Sequence, residues 1–336
     1  MIPKNDMKAW GWDKYWDDLW QTAVDSPASA EPGRVISESR GAFEVVHPNG
    51  LSRATPIGRL RKKGQLWPAV GDWVRIELHS GGAQMTQVLP RRTCLQRKAA
   101  GETEDIQILA ANIDRVFVVT SLNSDLNVRR LERFFVAARD SGAAVSLVLT
   151  KADLVTADDI QRLLSEFRSR FGGELDVHQT STQNGLGIEA LLKLCQTSNP
   201  TSVFLGTSGV GKSSLVNALL GQNIQVTATI RNDDDKGRHT TTGRNALQIP
   251  GGGIIIDTPG IRELQLTDVT ETVDEAFQDI ESLVLQCKFT NCTHEKEKGC
   301  AIQAALASGA LSADRLLSYR KLKSEAEARA KRTKRR

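Results

Sequence analysis

The sequence predicts an α/β protein in which a mostly parallel sheet, covered on both faces, follows a small β-barrel and precedes a mainly helical, metal-stapled segment. Three observations carry this expectation. From about Asn112 to Gly260, apolar runs of strand length alternate with amphipathic stretches of helix length. From Gly33 to about Arg92, short β-type runs are separated by turn residues and show no helical period. Finally, Cys287, Cys292, His294 and Cys300 crowd into fourteen residues.

The 336 residues are enough for two or three domains, each with its own core. Apolar residues at 40% and charged residues at 25% are ordinary for a globular chain. No apolar run approaches the roughly 20 residues that span a bilayer, and "MIPKNDMKAWGWDKYWDDLW" is too acidic and broken for a signal peptide. A cytoplasmic, monomeric protein with no membrane association is expected. The net charge of +4 is unevenly placed: residues 320–336 hold nine Lys/Arg against two acids, a local +7 that leaves −3 for everything before them. Five cysteines in a chain of this size do not make a disulfide scaffold, and Cys94 and Cys195 read as small buried or bystander thiols.

Residues 1–32 form a Trp-rich extension. Trp12, Trp16 and Trp20 recur at the four-residue step that places side chains on one helix face, so a helix packed onto the body is expected. "SPASAEPG" breaks the chain. Residues 33–100, with "GRVISES", "GAFEVVHPNG", "LSRATPIGRL", "WPAVGDWVRIELHSGG" and "AQMTQVLP", suit a five-stranded barrel of the OB type, a fold often used to hold single-stranded nucleic acid. Phe43, Trp67 and Trp73 are candidate stacking platforms, with core filling expected for at least two. Residues 101–268 supply "IDRVFVVTS", "AAVSLVLTKAD", "LDVHQTS", "TSVFLG" and "GGIIIDTPG" as strands, with helices between them such as "VRRLERFFVAARDSG", "ADDIQRLLSEFRSRFGG" and "LGIEALLKLC". Residues 269–319 hold the Cys/His cluster, and 320–336 are a basic tail.

The motifs fall where strands end, which is where such sheets bind ligands. Gly206-Thr207-Ser208-Gly209-Val210-Gly211-Lys212-Ser213 fits G-x-x-x-x-G-K-[ST], followed by Ser214 in a helix start. Glycines let successive N–H groups point at phosphate oxygens at the positive end of the helix, Lys212 reaches the β/γ-phosphates, and Ser213 is a Mg²⁺ ligand. Asp257 and Gly260 of "DTPG" form the second phosphate-side element: the carboxylate holds Mg²⁺ through water, and the Gly260 N–H approaches the γ-phosphate unobstructed by a Cβ. Between these lies a polar, breaker-rich stretch in which Thr241 is the candidate metal-sensing hydroxyl, with Thr240 and Thr242 as rivals.

Thr150-Lys151-Ala152-Asp153 has the form [NT]-K-x-D, with Thr150 where asparagine is commoner. A carboxylate at Asp153 accepts from guanine N1–H and its exocyclic amino group, an arrangement adenine does not offer. Ser181 in "TSTQNGLG" fits the loop that closes over the base. The chain order is base motif, closing loop, phosphate loop, DTPG: a circularly permuted P-loop GTPase domain. The segment after DTPG leads straight into the C-terminal part, so nucleotide state can be passed there. Ile261 stands where many GTPases place a water-orienting glutamine, which leaves His239 as the candidate substitute. Three thiolates and an imidazole make a closed tetrahedral zinc set with a structural role.

These motifs, together with "PAVGDWV", "GRHTTT", "DTPGIRE" and "CKFTNCTHEKEKGC", resemble those of the ribosome small-subunit-dependent GTPase A group (RsgA), from about Gly33 to the tail. The resemblance implies an N-terminal OB-type barrel, the permuted GTPase domain and a C-terminal zinc-binding, mainly helical domain. It also implies action in late assembly of the small ribosomal subunit, with GTP hydrolysis stimulated by that subunit and rRNA contacted through barrel, zinc domain and basic tail. Two rivals remain: an RNA-binding regulator for which GTP is only a structural ligand, separable by turnover, and an ATP-driven transporter or helicase component, disfavoured by Asp153.

Overall fold

The computed structural model describes residues 6–22, 29–39, 41–62, 65–98, 106–122, 128–171, 175–207, 209–221, 244–257, 277–289, 292–295 and 297–333. A short turn at Met7–Trp10 leads to helix α1 (Lys14–Thr22). Strands β1 (Glu31–Ser39), β2 (Ala42–His47), β3 (Gly50–Pro56), β4 (Trp73–His79) and β5 (Gly82–Val88) follow. Their order is β1-β2-β3-β5-β4, and β4 returns to pair with β1, so the barrel closes and leaves no free edge among them. Alternation decides the inside: on β2, Phe43 and Val45 are fully buried while Glu44 between them is exposed. Phe43 and Trp73 fill core, whereas Trp67 is 38% exposed, as two of three aromatics were expected to pack.

Strands β6 (Cys94–Lys98) and β7 (Ile106–Ala111) pair with each other, and then comes the alternating series. It comprises β8 (Arg115–Ser121), α2 (Val128–Asp140), β9 (Ala144–Thr150), α3 (Ala157–Phe171), β10 (Asp176–Gln179), α4 (Ile188–Gln196), β11 (Thr201–Leu205), α5 (Lys212–Leu220), β12 (Arg244–Gln248) and β13 (Ile254–Asp257). The sheet order is β10-β9-β8-β11-β13-β12, parallel except for β12. Strand β8 shows why both faces are covered. Val116 and Val118 point into the core shared with Phe134 and Phe135 of α2, and Phe117 and Val119 into a second core with Leu191 of α4 and Leu215 of α5. Each such side chain contributes on the order of 1.5–3 kcal/mol when fully buried. Helices α6 (Gln278–Val284), α7 (Ala301–Ala307) and α8 (Ala313–Thr333) complete the fold.

Several boundaries differ from the sequence expectation. The barrel begins at Glu31, because Pro32 sits near a strand start where its missing N–H is tolerated. Strands β6, β7 and β12 were not anticipated: their apolar patterns are short and their pairing partners lie far away in sequence. Helix α8 crosses position 320 without a break, so the basic run through Thr333 continues a packed helix. Trp12 precedes α1 rather than lying on it.

Strand β12 also pairs with β1, at Ser37↔Asn245 and Glu38↔Arg244, so barrel and sheet form one run of eleven strands among the described residues. Gly71 (φ +96) lets the barrel turn press on the end of β7, since a Cβ there would lie 2.1 Å from the Ala111 carbonyl oxygen. Two buried arginines tie the parts together. Arg34 of β1 donates to Thr201 Oγ1 (2.7 Å) and to the Trp10 carbonyl, and burial pulls its guanidinium down to about 10, still charged at neutral pH. Arg315 of α8 donates to Glu132 Oε1 of α2 (2.6 Å), to Asp279 of α6 (2.8 and 3.1 Å) and to the Arg170 carbonyl of α3 (2.6 Å).

Glu132 is 1% exposed, so Arg315→Ala strands a buried carboxylate with only Arg170 at 3.4 Å. A loss of about 3 to 5 kcal/mol in denaturant unfolding is expected, partly recovered by adding Glu132→Gln. A loss below about 1 kcal/mol would contradict this assignment.

Candidate functional site

The loop between β11 and α5 is shaped by its glycines. Gly206 has φ +159, and a Cβ there would lie 2.3 Å from the Val119 carbonyl oxygen of the neighbouring strand. Gly211 (φ +95) precedes α5 without a side-chain cap, which leaves first-turn N–H groups directed at the loop. Lys212 Nζ folds back over this loop and donates to the carbonyls of Gly206 (2.7 Å) and Thr207 (2.5 Å). An anion seated in the loop would meet that ammonium and the N-terminus of α5 together.

The base motif lies against the same loop. Strand β9 ends at Thr150, whose hydroxyl donates to the Val210 carbonyl (2.6 Å) and lies 3.2 Å from the Thr120 carbonyl oxygen. Lys151 takes a left-handed backbone (φ 57), uncommon for a residue with a side chain, and its Nζ donates to the Gly209 carbonyl (3.2 Å). These bonds bring two motifs about 60 residues apart in sequence into direct contact. The Ala152 N–H donates to the Thr180 carbonyl (3.1 Å), and the Ser181 N–H to the Leu186 carbonyl (3.0 Å), so the closing loop is fastened to the base motif.

Between them opens a cleft of about 380 Å³. Thr150, Lys151, Asp153, Ser181, Gly211 and Ser214, all singled out from sequence, line it. Leu154, Thr180, Thr182 and Gln183 line it as well and were missed as site residues. Their signal was weak, being only adjacency to the motif and to the closing loop. Ser213 is exposed in the first turn of α5. Asp257 ends β13, and the parallel register Val203↔Ile256 puts it level with Phe204, at the same sheet edge as the phosphate loop. Val210 is buried behind that loop. Ser208, His239, Thr241 and Gly260 lie outside the described residues.

The Cys/His cluster is the second site. The ligand atoms of Cys287, Cys292, His294 and Cys300 all lie within 4.8 Å of one another. His294 Nδ1 is 3.5 Å from Cys287 Sγ and 3.6 Å from Cys300 Sγ, and those two sulfurs are 3.9 Å apart. A tetrahedron with arms of about 2.3 Å to sulfur and 2.0 Å to nitrogen has edges of this size, so the donor set fits zinc. The His294 carbonyl accepts from Gln303 Nε2 (2.7 Å) and Arg320 Nη2 (2.9 Å), which hold the ligand loop against α7 and α8.

With this geometry in place, comparison with known proteins is decisive. A family model described as RsgA GTPase matches residues 88–267. A relative from Methanosarcina acetivorans, named small ribosomal subunit biogenesis GTPase RsgA, is 43% identical over 297 residues, 87% of this chain and 79% of its own. The chain belongs to the RsgA GTPase family. A relative of the same name from Streptomyces coelicolor is 43% identical over 318 residues, covering 92% of this chain and 85% of its own. The crystal structure of YjeQ from Thermotoga maritima superposes with a TM-score of 0.64 at 27% identity, covering 88% of this chain and 98% of that one. The fold is also that of YloQ, titled a circularly permuted GTPase (TM-score 0.60, 22% identity, covering 92% and 99%). In this chain Thr150–Asp153 precedes the loop of Gly206–Ser213, and both still meet at the strand ends of one sheet.

Thr150→Val keeps the side-chain shape and removes the hydroxyl that joins the two loops. Nucleotide binding is expected to weaken about tenfold in a fluorescent-nucleotide titration, with the fold intact. Unchanged affinity would mean the hydrogen bond does not hold the site together.

Proposed function

We propose that this protein hydrolyses GTP to GDP and phosphate as a late maturation factor of the small ribosomal subunit, which stimulates the reaction. One observation supports this most: Asp153, the candidate guanine acceptor, and the phosphate loop border a single cleft, joined by the Thr150 bond. The names of the relatives as GTPases of small ribosomal subunit biogenesis support the partner.

In this reading Asp153 accepts from guanine N1–H and the amino group, the Lys151 stem lies along the base, and Ser181 and its neighbours close over it. The residues of 206–214 cradle the phosphates, and Lys212 exchanges its present carbonyl partners for β/γ-phosphate oxygens. Magnesium would arrive with the nucleotide and offset phosphate charge, with Ser213, Thr241 and Asp257 as the side chains to hold it. Gly260 offers its N–H to the γ-phosphate, and His239, brought in by the docked subunit, orients the attacking water. Zinc bound by Cys287, Cys292, His294 and Cys300 is structural. The segment 258–276 joins Asp257 to the zinc-site helices, a short covalent path for nucleotide state.

RNA contact is assigned to the barrel, the zinc domain and the basic end of α8. On the barrel, Trp67 is exposed with the Arg61 guanidinium 5.7 Å from its ring centroid, a pairing suited to stacking and phosphate contact. Among the described residues no helix is long and apolar enough to cross a membrane.

Asp153→Asn replaces an acceptor oxygen by an N–H donor opposite two donors of guanine. GTP affinity is expected to fall at least about 100-fold while xanthosine triphosphate, with a carbonyl at that position, gains. Retained GTP preference would reject Asp153 as base reader. His239→Ala should abolish subunit-stimulated hydrolysis while nucleotide still binds, and unchanged stimulated turnover would reject that role.

A further inference from the structure

Residues 6–22 play no part in the reading above, yet the structure uses them heavily. Trp16 is 2% exposed and packs with Trp73 of β4 and with Leu89, just beyond β5. Trp12 meets Trp73 edge-on at 4.8 Å between ring centroids. Arg75 of β4 lies 3.7 Å from the Trp20 ring centroid and donates to the Trp20 carbonyl (2.6 Å). Arg92, on the connection out of the barrel, stacks over Tyr15 and Trp16 at 4.2 and 4.8 Å and pairs with Asp13. The segment thus grips the barrel through aromatic faces and arginines.

It also reaches the nucleotide-binding sheet, directly at Gln248 and indirectly through Arg34 of β1. The Trp10 carbonyl accepts from Arg34, whose other nitrogen donates to Thr201, the first residue of β11. The Ala9 carbonyl accepts from Gln248 Nε2 (3.2 Å), at the last residue of β12. By register, Thr201 and Gln248 both pair with Ile254, the first residue of β13. The segment therefore meets the foot of β12 directly and that of β11 through Arg34, on either side of the start of β13, and the opposite ends of these strands lead to the phosphate loop, to residues 222–243 and to Asp257.

The direct ladder between barrel and sheet is two residue pairs of β1 and β12, near the start of β12 at Arg244. The Arg244–Glu38 ion pair reinforces that end, and barrel and sheet also share Arg34–Thr201 and one apolar core. The Ala9–Gln248 bond adds an attachment at the other end of β12.

We propose that residues 6–22 are a positioning strap for the partner-stimulated reaction, fastening the barrel to the foot of the phosphate-side strands so that a partner gripping the barrel acts on the site those strands carry. The partner is the one proposed above, so this inference rests on that reading. The strap touches neither the nucleotide cleft nor the zinc ligands, and basal binding and turnover do not need it.

The test uses full-length Trp16→Ala and the milder Trp20→Ala, at a half-buried side chain that leaves the Trp16–Trp73 core intact. Hydrogen exchange of the amides of 244–248 should quicken at least about fivefold in both variants. Turnover at saturating small subunit should fall at least about tenfold, while basal kcat and KM for GTP stay within about twofold of wild type. Unchanged exchange, unchanged stimulated turnover, or an equal fall in basal and stimulated turnover would each overturn the proposal. If Trp16→Ala fails to fold, Trp20→Ala decides alone. If the wild type shows no stimulation by small subunits, the partner reading itself falls, and exchange still decides whether the strap fastens these strands.

Discussion

The hydrogen bond from Thr150 Oγ1 to the Val210 carbonyl, 2.6 Å long and buried, is the constraint around which the functional half of this molecule is arranged. It joins the end of β9 to the loop after β11, across the intervening β8. The left-handed backbone at Lys151 and the Lys151–Gly209 contact follow from the same apposition. A threonine meets this demand because its short hydroxyl reaches a neighbouring carbonyl while its methyl packs. Threonine stands at position 150 where asparagine is commoner in this motif, and in the structure its hydroxyl donates to a carbonyl of the loop after β11.

Around this centre the other parts are attached by buried cations. Arg34 joins barrel, N-terminal segment and β11, while Arg315 joins α8, α6 and the back of α2 and α3. A buried guanidinium is costly to desolvate and tolerable only with several acceptors in place, so each fixes a relative orientation more than it adds stability. The loop between α6 and α7 that carries the Cys/His cluster is tied to α7 and α8 in turn, through the bonds that Gln303 and Arg320 donate to the His294 carbonyl. The permuted chain order then has a mechanical meaning. The phosphate-side strands sit between the barrel, through β1 and β12, and the C-terminal helices, through 258–276.

Much of this was legible in the sequence where local chemistry and period agree. The strands β9, β11 and β13 are largely apolar runs that end in, or lead straight into, motif residues, so pattern and chemistry marked the same strand ends. The cysteine spacing announced its tetrahedron, since four donors in fourteen residues have few other uses. Strand β12 was not legible, because "RNALQ" has no alternation to speak of and owes its conformation to β13 and β1 on either side. Likewise nothing in "WGWDKYWDDLW" announces Arg34, Arg75 and Arg92 as its partners: those residues are 14 or more positions away, and the contacts exist only once the barrel has closed. Leu154, Thr182 and Gln183 line the cleft by neighbourhood rather than by motif, and sequence reasoning selects by motif.

The structure of the full-length protein with a non-hydrolysable GTP analogue tests the central claim most directly. The account predicts one bound nucleotide with guanine N1 and its amino group about 3 Å from the Asp153 carboxylate, and β- or γ-phosphate oxygens at the same distance from Lys212 Nζ. A nucleotide whose phosphates occupy the loop while its base lies away from Asp153, or one bound outside this cleft, would contradict it.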